Sequence, residues 1–202
     1  MYSRVMDFLQ LNNSLYEMQY GFRPGRSCEH ALLNAQSILL DSLSKRKISL
    51  LLLIDFSKAF DMVDHNILLA KLERIGVRGV AHKWIASYLD NRQQYVSIDG
   101  TNSTTKHIKY GVPQCSILGP LLFIIYINDF PNISTLAKFI LYADDANIII
   151  TGDSIEEIHS QLDQLIKGLI KWVDSNGLAI NLKKTVYMIF QEGVIAILIN
   201  HS

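Results

Sequence analysis

The apolar residues of this chain recur at two different spacings, and each spacing predicts one type of secondary structure. Helical spacing, with apolar residues three and four positions apart, is clearest over residues 154–177. There Ser154 and Glu157 match the sequence signature of an N-terminal capping box, and Gly177 ends the pattern. Shorter stretches of the same spacing predict helices over residues 29–43, 66–76, 80–89 and 121–130, and weakly over 4–18.

Continuous apolar runs predict the strands. ISLLLLID (48–55) is typical of a central strand buried on both faces, and it ends in Asp55. FILYADDANIII (139–150) predicts a strand–turn–strand hairpin with Asp144 and Asp145 at its tip. Two more strand pairs are expected, a polar-tipped hairpin over 95–111 turning near Asp99–Gly100 and two short strands over 178–190 around Lys183–Lys184. Because strands and helices alternate without regular βαβ units, we expect one mixed α/β domain.

Composition and charge narrow the possible classes of protein. The 202 residues are 49% hydrophobic, which is enough for one domain with a substantial core. Lysine plus arginine and aspartate plus glutamate both number 19, so any attraction to nucleic acid has to come from local clusters of basic residues. Cys28 and Cys115 form no CxxC pair, which argues against a zinc site and fits a reducing compartment.

The sequence also predicts where the protein works. The first residues lack the apolar core of a signal peptide. The longest apolar stretch, ILGPLLFIIYI (117–127), is too short to be a transmembrane segment. We therefore expect an intracellular protein, in the nucleus or cytoplasm, with no membrane partner.

The carboxylates at the ends of the apolar runs are the first candidates for chemistry. Taken singly they have ordinary explanations, because Asp55 could cap a following helix and Asp144 and Asp145 could be solvated turn residues. If the two strands are neighbours in one sheet, however, the three carboxylates lie close together and repel unless cations sit among them. Mg²⁺ prefers such oxygen ligands, and two ions about 3.5–4 Å apart can stabilise both oxygens of an in-line phosphoryl transfer.

Five sequence blocks, taken together, resemble a known family. They are QYGFRPGRS (19–27), LIDFSKAFDMVDH (53–65), GVPQCSILGPLLFIIYINDF (111–130), YADD (142–145) and NLKKTVYMIF (181–190). In this order they closely resemble the reverse transcriptases of non-LTR retrotransposons of the LINE kind. The resemblance implies an α/β (α+β) right-hand polymerase palm, with a central antiparallel sheet flanked by helices, plus part of the fingers. The resemblance spans roughly residues 5–190. It implies a partial domain over residues 1–190, with the upstream fingers and the thumb expected to be missing, and a divergent tail over 191–202.

The resemblance also implies roles for the charged residues. Asp55, Asp144 and Asp145 would be the metal-binding triad, holding two Mg²⁺ ions, with Mn²⁺ as the alternative metal. Lys184, in the NxxKT pattern, would be the general acid for the pyrophosphate leaving group. Without the resemblance, a lysine in a solvated turn is the simpler interpretation of Lys184.

Five further residues receive substrate-binding roles from the same resemblance. Phe60 would be the steric gate that excludes a ribose 2′-hydroxyl, although a core phenylalanine is an equally good interpretation. Gln114 would line the nucleotide and template pocket, and Tyr142 would pack near the primer end. Arg23 and Arg26 would contact backbone phosphates, although arginines in a Gly-Pro loop are commonly just solvated.

Three functions remain open from the sequence. The first is an RNA-directed DNA polymerase that uses an RNA template, a DNA primer and deoxynucleoside triphosphates. The second is a catalytically inactive relic that folds as a palm and at most binds nucleic acid or a partner, and Cys115 favours it because the family pattern has glycine there. The third is another metal-dependent palm enzyme such as a nucleotide cyclase, against which the GVPQ and NLKKT blocks count.

Overall fold

A five-stranded antiparallel sheet lies at the centre of the computed structural model, which describes residues 1–113 and 116–199. The strands are β1 Ile48–Ile54, β2 Gln93–Gln94, β3 Ser97–Ile98, β4 Thr101–Asn102, β5 Lys106–His107, β6 Ala137–Tyr142, β7 Asp145–Gly152, β8 Val186–Gln191 and β9 Val194–Ile199. The helices are α1 Tyr2–Leu11, α2 Cys28–Ser44, α3 His65–Arg74, α4 Gly79–Leu89, α5 Gly119–Tyr126 and α6 Ile155–Ser175, with short 3-10 helices at Ala59–Met62 and Phe130–Ile133. The central sheet has the order β6-β7-β1-β8-β9, and each neighbouring pair is antiparallel.

Strand β1 is buried on both faces, as its continuous apolar run predicts. Leu50 and Leu52 point into the main core, which also contains the inner face of α6. Leu51, on the opposite face, belongs to a smaller core beneath α2. This alternation follows from the two-residue period of a strand, and it places β1 in the middle of three layers, α2, sheet and α6.

Helix α5 explains the longest apolar stretch of the sequence. Residues 121–126 are all buried in the main core, and a helix that is apolar on every side needs such surroundings. Across the described ranges of the chain, no helix is both long enough and apolar enough to cross a membrane.

The polar-tipped hairpin is confirmed. Strands β3 and β4 pair around Asp99 and Gly100, which have φ values of +47° and +78°. Positive φ at both central residues is the backbone of a two-residue type I′ turn, which Asp-Gly favours. Farther from the tip, β2 pairs with β5.

Two local predictions are wrong. Residues 178–190 contain one strand of the sheet, β8, because the N–H groups of Lys184 and Thr185 both donate to the Asn181 carbonyl and curl the first half into a turn. The capping box of α6 is only half formed. Ser154 Oγ accepts from Glu157 N, but Glu157 Oε2 accepts from the N–H of Asp153, at 2.7 Å, rather than from Ser154.

Candidate active site

The register of the sheet brings Asp55 to the aspartate-bearing hairpin. In the pairing of β1 with β7, Ile54 lies opposite Ala146, so the next residues along each strand are Asp55 and Asp145. Strand β6 pairs with β7 up to Tyr142 opposite Asp145, which leaves Ala143 and Asp144 as the tip of the hairpin. All three aspartates therefore lie at the same end of the central sheet.

The chain before β8 holds Asp55 in place. The Asn181 side-chain amide donates a 2.9 Å hydrogen bond to Asp55 Oδ2, and the Asn181 N–H donates to the Asp55 carbonyl at 2.8 Å. Lys184 Nζ lies 3.7 Å from the same Oδ2 atom, with 68% of the lysine side chain exposed. The pairing of Phe56 with Ile180 continues this contact by one residue. The turn over 181–185 thus fixes one carboxylate and presents a cation beside it.

The three carboxylates interact electrostatically. The pKa of Asp145 is raised, first by partial burial of the carboxyl group and then by the negative charges of Asp144 and Asp55, while Lys184 acts in the opposite direction. The part of this shift that comes from the neighbouring acids marks a place where a cation would be stabilising. Within the described residues, however, no group of three His, Cys, Asp or Glu side chains already surrounds a single metal position.

A cleft of about 480 Å³ opens at this end of the sheet. Asp55, Asp144, Asn181 and Lys184 lie on one part of its wall, and the chain from Phe56 to Phe60 forms the rest. The cleft therefore brings acidic side chains, an exposed lysine and an aromatic ring together in one place.

Phe60 has two roles in the structure at once. Its ring stacks on Phe123 of the main core with centroids 4.4 Å apart, and it meets Phe22 edge-on at 6.1 Å. The same residue lines the cleft beside Asp55. The two sequence interpretations of Phe60, a core ring and a wall of the site, are therefore compatible. Tyr142, the last residue of β6, is 37% exposed next to the hairpin tip.

The two candidate phosphate-binding arginines are engaged with the protein itself. Arg23 Nη1 donates to the carbonyls of Tyr16 and Gln19, at 2.8 and 3.3 Å, and the pKa of Arg23 is lowered by burial and then by Arg26. The guanidinium of Arg26 lies over the ring of Tyr20, 5.2 Å from its centroid. In this arrangement Arg23 braces its own loop, and Arg26 stacks on Tyr20. Gln114 and Cys115 lie outside the described residues.

Two residues of the site had no role in the sequence analysis. Asn181 opens the NLKKT block, and its position there is the signal that could have pointed to it. Lys58 lies in the cleft beside Asp55 with φ +48°, and it also lines a neighbouring cleft of about 590 Å³ together with Arg92 and Tyr110. A left-handed lysine between a strand and a 3-10 helix leaves little trace in a sequence pattern.

Known proteins share the fold of this chain. A central antiparallel sheet with helices packed on it is the architecture of a right-hand polymerase palm. Residues 1–196 match the family model described as reverse transcriptase (RNA-dependent DNA polymerase), so the chain belongs to the reverse transcriptase family.

Two similar proteins are RNA-directed DNA polymerases of mobile elements. The RNA-directed DNA polymerase from the mobile element jockey of Drosophila melanogaster is 26% identical over 195 residues, which cover 93% of this chain and 21% of that protein. The probable RNA-directed DNA polymerase from transposon BS of the same species is 27% identical over 191 residues, which cover 91% and 21%. The chain thus spans about a fifth of the length of these relatives. The resemblance to retrotransposon reverse transcriptases is confirmed.

Solved structures agree on the fold. Apo telomerase from Candida tropicalis superposes with a TM-score of 0.68 at 16% identity, covering 96% of this chain and 37% of that one. Telomerase from Candida albicans, in complex with a fragment of telomeric RNA, gives 0.62 at 17% identity and covers 92% and 34%. The right-hand polymerase fold expected from the sequence is therefore confirmed.

Proposed function

We propose that this chain is the palm and part of the fingers of an RNA-directed DNA polymerase of a non-LTR retroelement. It would transfer deoxynucleotides from deoxynucleoside triphosphates to a DNA primer paired with an RNA template, inside the cell in the nucleus or cytoplasm. The observation that carries the proposal is the placement of Asp55, Asp144 and Asp145 at one end of the central sheet, beside Lys184. The membership of the chain in the reverse transcriptase family supports it.

The three aspartates are proposed to hold divalent metal ions, on which this family generally depends. Their carboxylates are the hard oxygen ligands that Mg²⁺ prefers, and Mn²⁺ accepts the same ligands. Two bound ions would stabilise charge on the attacking and leaving oxygens. The raised pKa of Asp145 supports this assignment, because the charges of Asp144 and Asp55 contribute to it and a cation would relieve them.

Other residues of the cleft would orient the substrates. Lys184 would donate a proton to the leaving pyrophosphate, since its ammonium group is exposed on the wall of the cleft beside Asp55. The ring of Phe60 is held by its stack on Phe123, and so could exclude a 2′-hydroxyl by its bulk. Gln114 is proposed to line the nucleotide and template pocket, and Tyr142 to pack near the primer end. Arg26, with Arg23 in support, would contact template or primer phosphates.

Metal titration tests the proposal without requiring turnover. The Asp144→Asn variant should bind Mn²⁺ more weakly than wild type, because it loses a charge and an oxygen ligand. Asp153→Asn is the matched control, since Asp153 is an exposed residue just beyond the opposite end of β7, where it pairs with Lys47. Equal Mn²⁺ affinity for wild type and Asp144→Asn would contradict the proposal. Primer extension in Mg²⁺ or Mn²⁺ with the same variants separates an active polymerase from an inactive relic.

A further inference from the structure

The chain segment over residues 18–21 runs directly beside the end of β6. The N–H of Tyr20 donates to the Leu141 carbonyl at 2.7 Å, and the N–H of Leu141 donates to the Met18 carbonyl at 2.9 Å. These bonds make Gln19 a parallel bridge partner of Leu141. The segment therefore reaches the hairpin tip from the side opposite to β7.

The side chain of Gln19 bonds to the tip itself. Its Oε1 atom accepts from Ala143 N at 3.1 Å and from Gly21 N at 2.8 Å, and the residue is only 1% exposed. Because two N–H groups donate to one atom, that atom must be the acceptor, which fixes the orientation of the amide. Within the described part of the chain, Gln19 Nε2 is buried without a hydrogen-bond partner.

Glycine at position 21 makes this contact possible. A β-carbon on Gly21 would lie 2.1 Å from Ala143 N and 2.8 Å from Ala143 Cα, both closer than the 3.0 Å below which β-carbon contacts are essentially never found. Any side chain at this position would push the segment and the hairpin tip apart. The Gln19 bond to Ala143 would then be lost.

The conformation of Ala143 explains why the tip needs support. Its φ of +55° is in the left-handed region, which alanine rarely adopts. Such residues persist where their surroundings determine the conformation, and they are common at functional sites. The φ and ψ of Ala143 set the direction in which the chain enters Asp144. A bond to its N–H therefore bears on where the carboxylates point.

We infer that Gln19 is a positioning residue for the aspartates at the hairpin tip. It holds the left-handed Ala143 through Oε1, and Gly21 supplies the close approach. The segment is itself braced, because Arg23 Nη1 bonds the carbonyls of Tyr16 and Gln19. The inference rests on the proposed metal-binding function of Asp144 and Asp145.

Two substitutions of Gln19 separate its acceptor oxygen from its bulk. Gln19→Met has a similar length but no acceptor, whereas Gln19→Glu keeps an acceptor oxygen and removes a donor that has no described partner. Partners that orient metal ligands typically change affinity 10–100-fold, so Gln19→Met should weaken Mn²⁺ binding by roughly tenfold. Exchange of the Ala143 amide proton, followed by NMR, should also accelerate. Gln19→Glu should restore both measurements toward wild type, which a role in packing alone does not predict.

Gly21→Ala tests the same contact independently of Gln19, and it serves if Gln19→Met fails to fold. It should weaken Mn²⁺ binding as Gln19→Met does. Gly152→Ala is the control for a crowded β-carbon at the far end of β7, where its nearest atoms would be side-chain atoms of Glu157, at 3.1 Å, and Ile158, at 3.3 Å, rather than the backbone of the hairpin tip. Thermal unfolding shows which variants are folded.

The outcomes distinguish this inference from the proposed function. Wild-type Mn²⁺ affinity in folded Gln19→Met or Gly21→Ala, alongside weaker binding by Asp144→Asn, overturns the positioning role. Wild-type affinity in Asp144→Asn overturns the proposed metal site, and with it any positioning role toward that site. In that second case, faster exchange of the Ala143 amide proton in Gln19→Met would still show that Gln19 bonds to the hairpin tip.

Discussion

The side-chain amide of Asn181 donates a 2.9 Å hydrogen bond to Oδ2 of Asp55, and the backbone N–H of the same residue donates to the carbonyl of Asp55. Through these two bonds, the turn before β8 fixes both the chain and the carboxylate of Asp55. Lys184 is carried on the same turn and approaches the same oxygen. Two residues of one turn thus act on a single carboxylate in different ways. Their substitution should therefore change the affinity for Mn²⁺ in opposite directions.

Asn181→Ala should weaken Mn²⁺ binding. The substitution removes the hydrogen bond that orients Asp55, and loss of such an orienting partner typically costs about 10–100-fold in metal affinity. Asn102→Ala, at an exposed position in the polar hairpin, is the control. Isothermal titration of wild type and the two variants with Mn²⁺ measures the effect, and equal affinity in all three would show that Asp55 needs no such support.

Lys184→Ala should instead strengthen Mn²⁺ binding slightly while lowering any rate of extension. Its ammonium competes with a metal ion for Asp55 Oδ2, but the side chain is 68% exposed, so the expected gain is only about twofold. The neighbouring Lys183→Ala changes the same formal charge on the same turn and should alter affinity less. Weaker Mn²⁺ binding by Lys184→Ala would mean that the lysine assists rather than opposes the metal.

A buried lysine away from the site allows a test of what holds the palm together. Lys71 Nζ lies 2.6 Å from Asp129 Oδ1 and donates to the carbonyl of Tyr126, also at 2.6 Å. The indole N–H of Trp172 donates to the same Asp129 oxygen at 3.1 Å. The pKa of Lys71 is lowered by burial, against which Asp129 acts. The network joins α3, the chain after α5, and α6.

Lys71→Met should lower the free energy of unfolding by about 2–3 kcal/mol, because it leaves Asp129 and the Tyr126 carbonyl without their cation. Lys45→Met is the matched control. Lys45 also pairs with an aspartate, Asp41, at 2.7 Å, but both side chains are about 60% exposed, so the expected loss is below about 1 kcal/mol. Urea denaturation gives both values. Equal losses would show that burial adds nothing to the Lys71 pair.

The sequence predicts the parts of this molecule that depend on local pattern. The apolar run before Asp55 and the hairpin around Asp144 predict β1, β6 and β7, because strand burial shows directly in a run of apolar residues. The aspartates meet at one end of the sheet because β1 and β7 are antiparallel neighbours. In such a pair the end of one strand lies beside the start of the other.

What the sequence does not predict depends on contacts between distant segments. Asn181 reaches Asp55 across 126 positions, and Gln19 reaches Ala143 across 124. Arg23 has the sequence context of a phosphate-binding residue, yet its guanidinium satisfies carbonyls of its own loop. In each case the side chain could serve several partners, and only the tertiary fold selects one.

The last prediction concerns nucleic acid. With a formal net charge of zero, the chain should release few counterions on binding. The polar hairpin over residues 92–109 carries Arg92, Lys106 and Lys109 and one acid, Asp99. Arg92 also lines the cleft that contains Lys58 and Asp61. If the chain neutralises about two phosphates, its affinity should fall only about tenfold between 50 and 200 mM salt. The reason is that the slope of log affinity against log salt concentration is about −0.9 per phosphate.

Purified residues 1–202 should therefore bind an RNA–DNA primer–template weakly, with this shallow salt dependence, and extend the primer slowly. Slow extension is expected because a weakly held primer end is poorly positioned, and a misplacement of about 1 Å can cost on the order of 10²-fold in rate. Fluorescence anisotropy at several salt concentrations measures the binding, and gel-resolved extension with an Asp144→Asn control measures the chemistry. Tight binding with a steep salt slope, or rapid extension that disappears in Asp144→Asn, would show that the chain holds its substrates far better than its charge predicts.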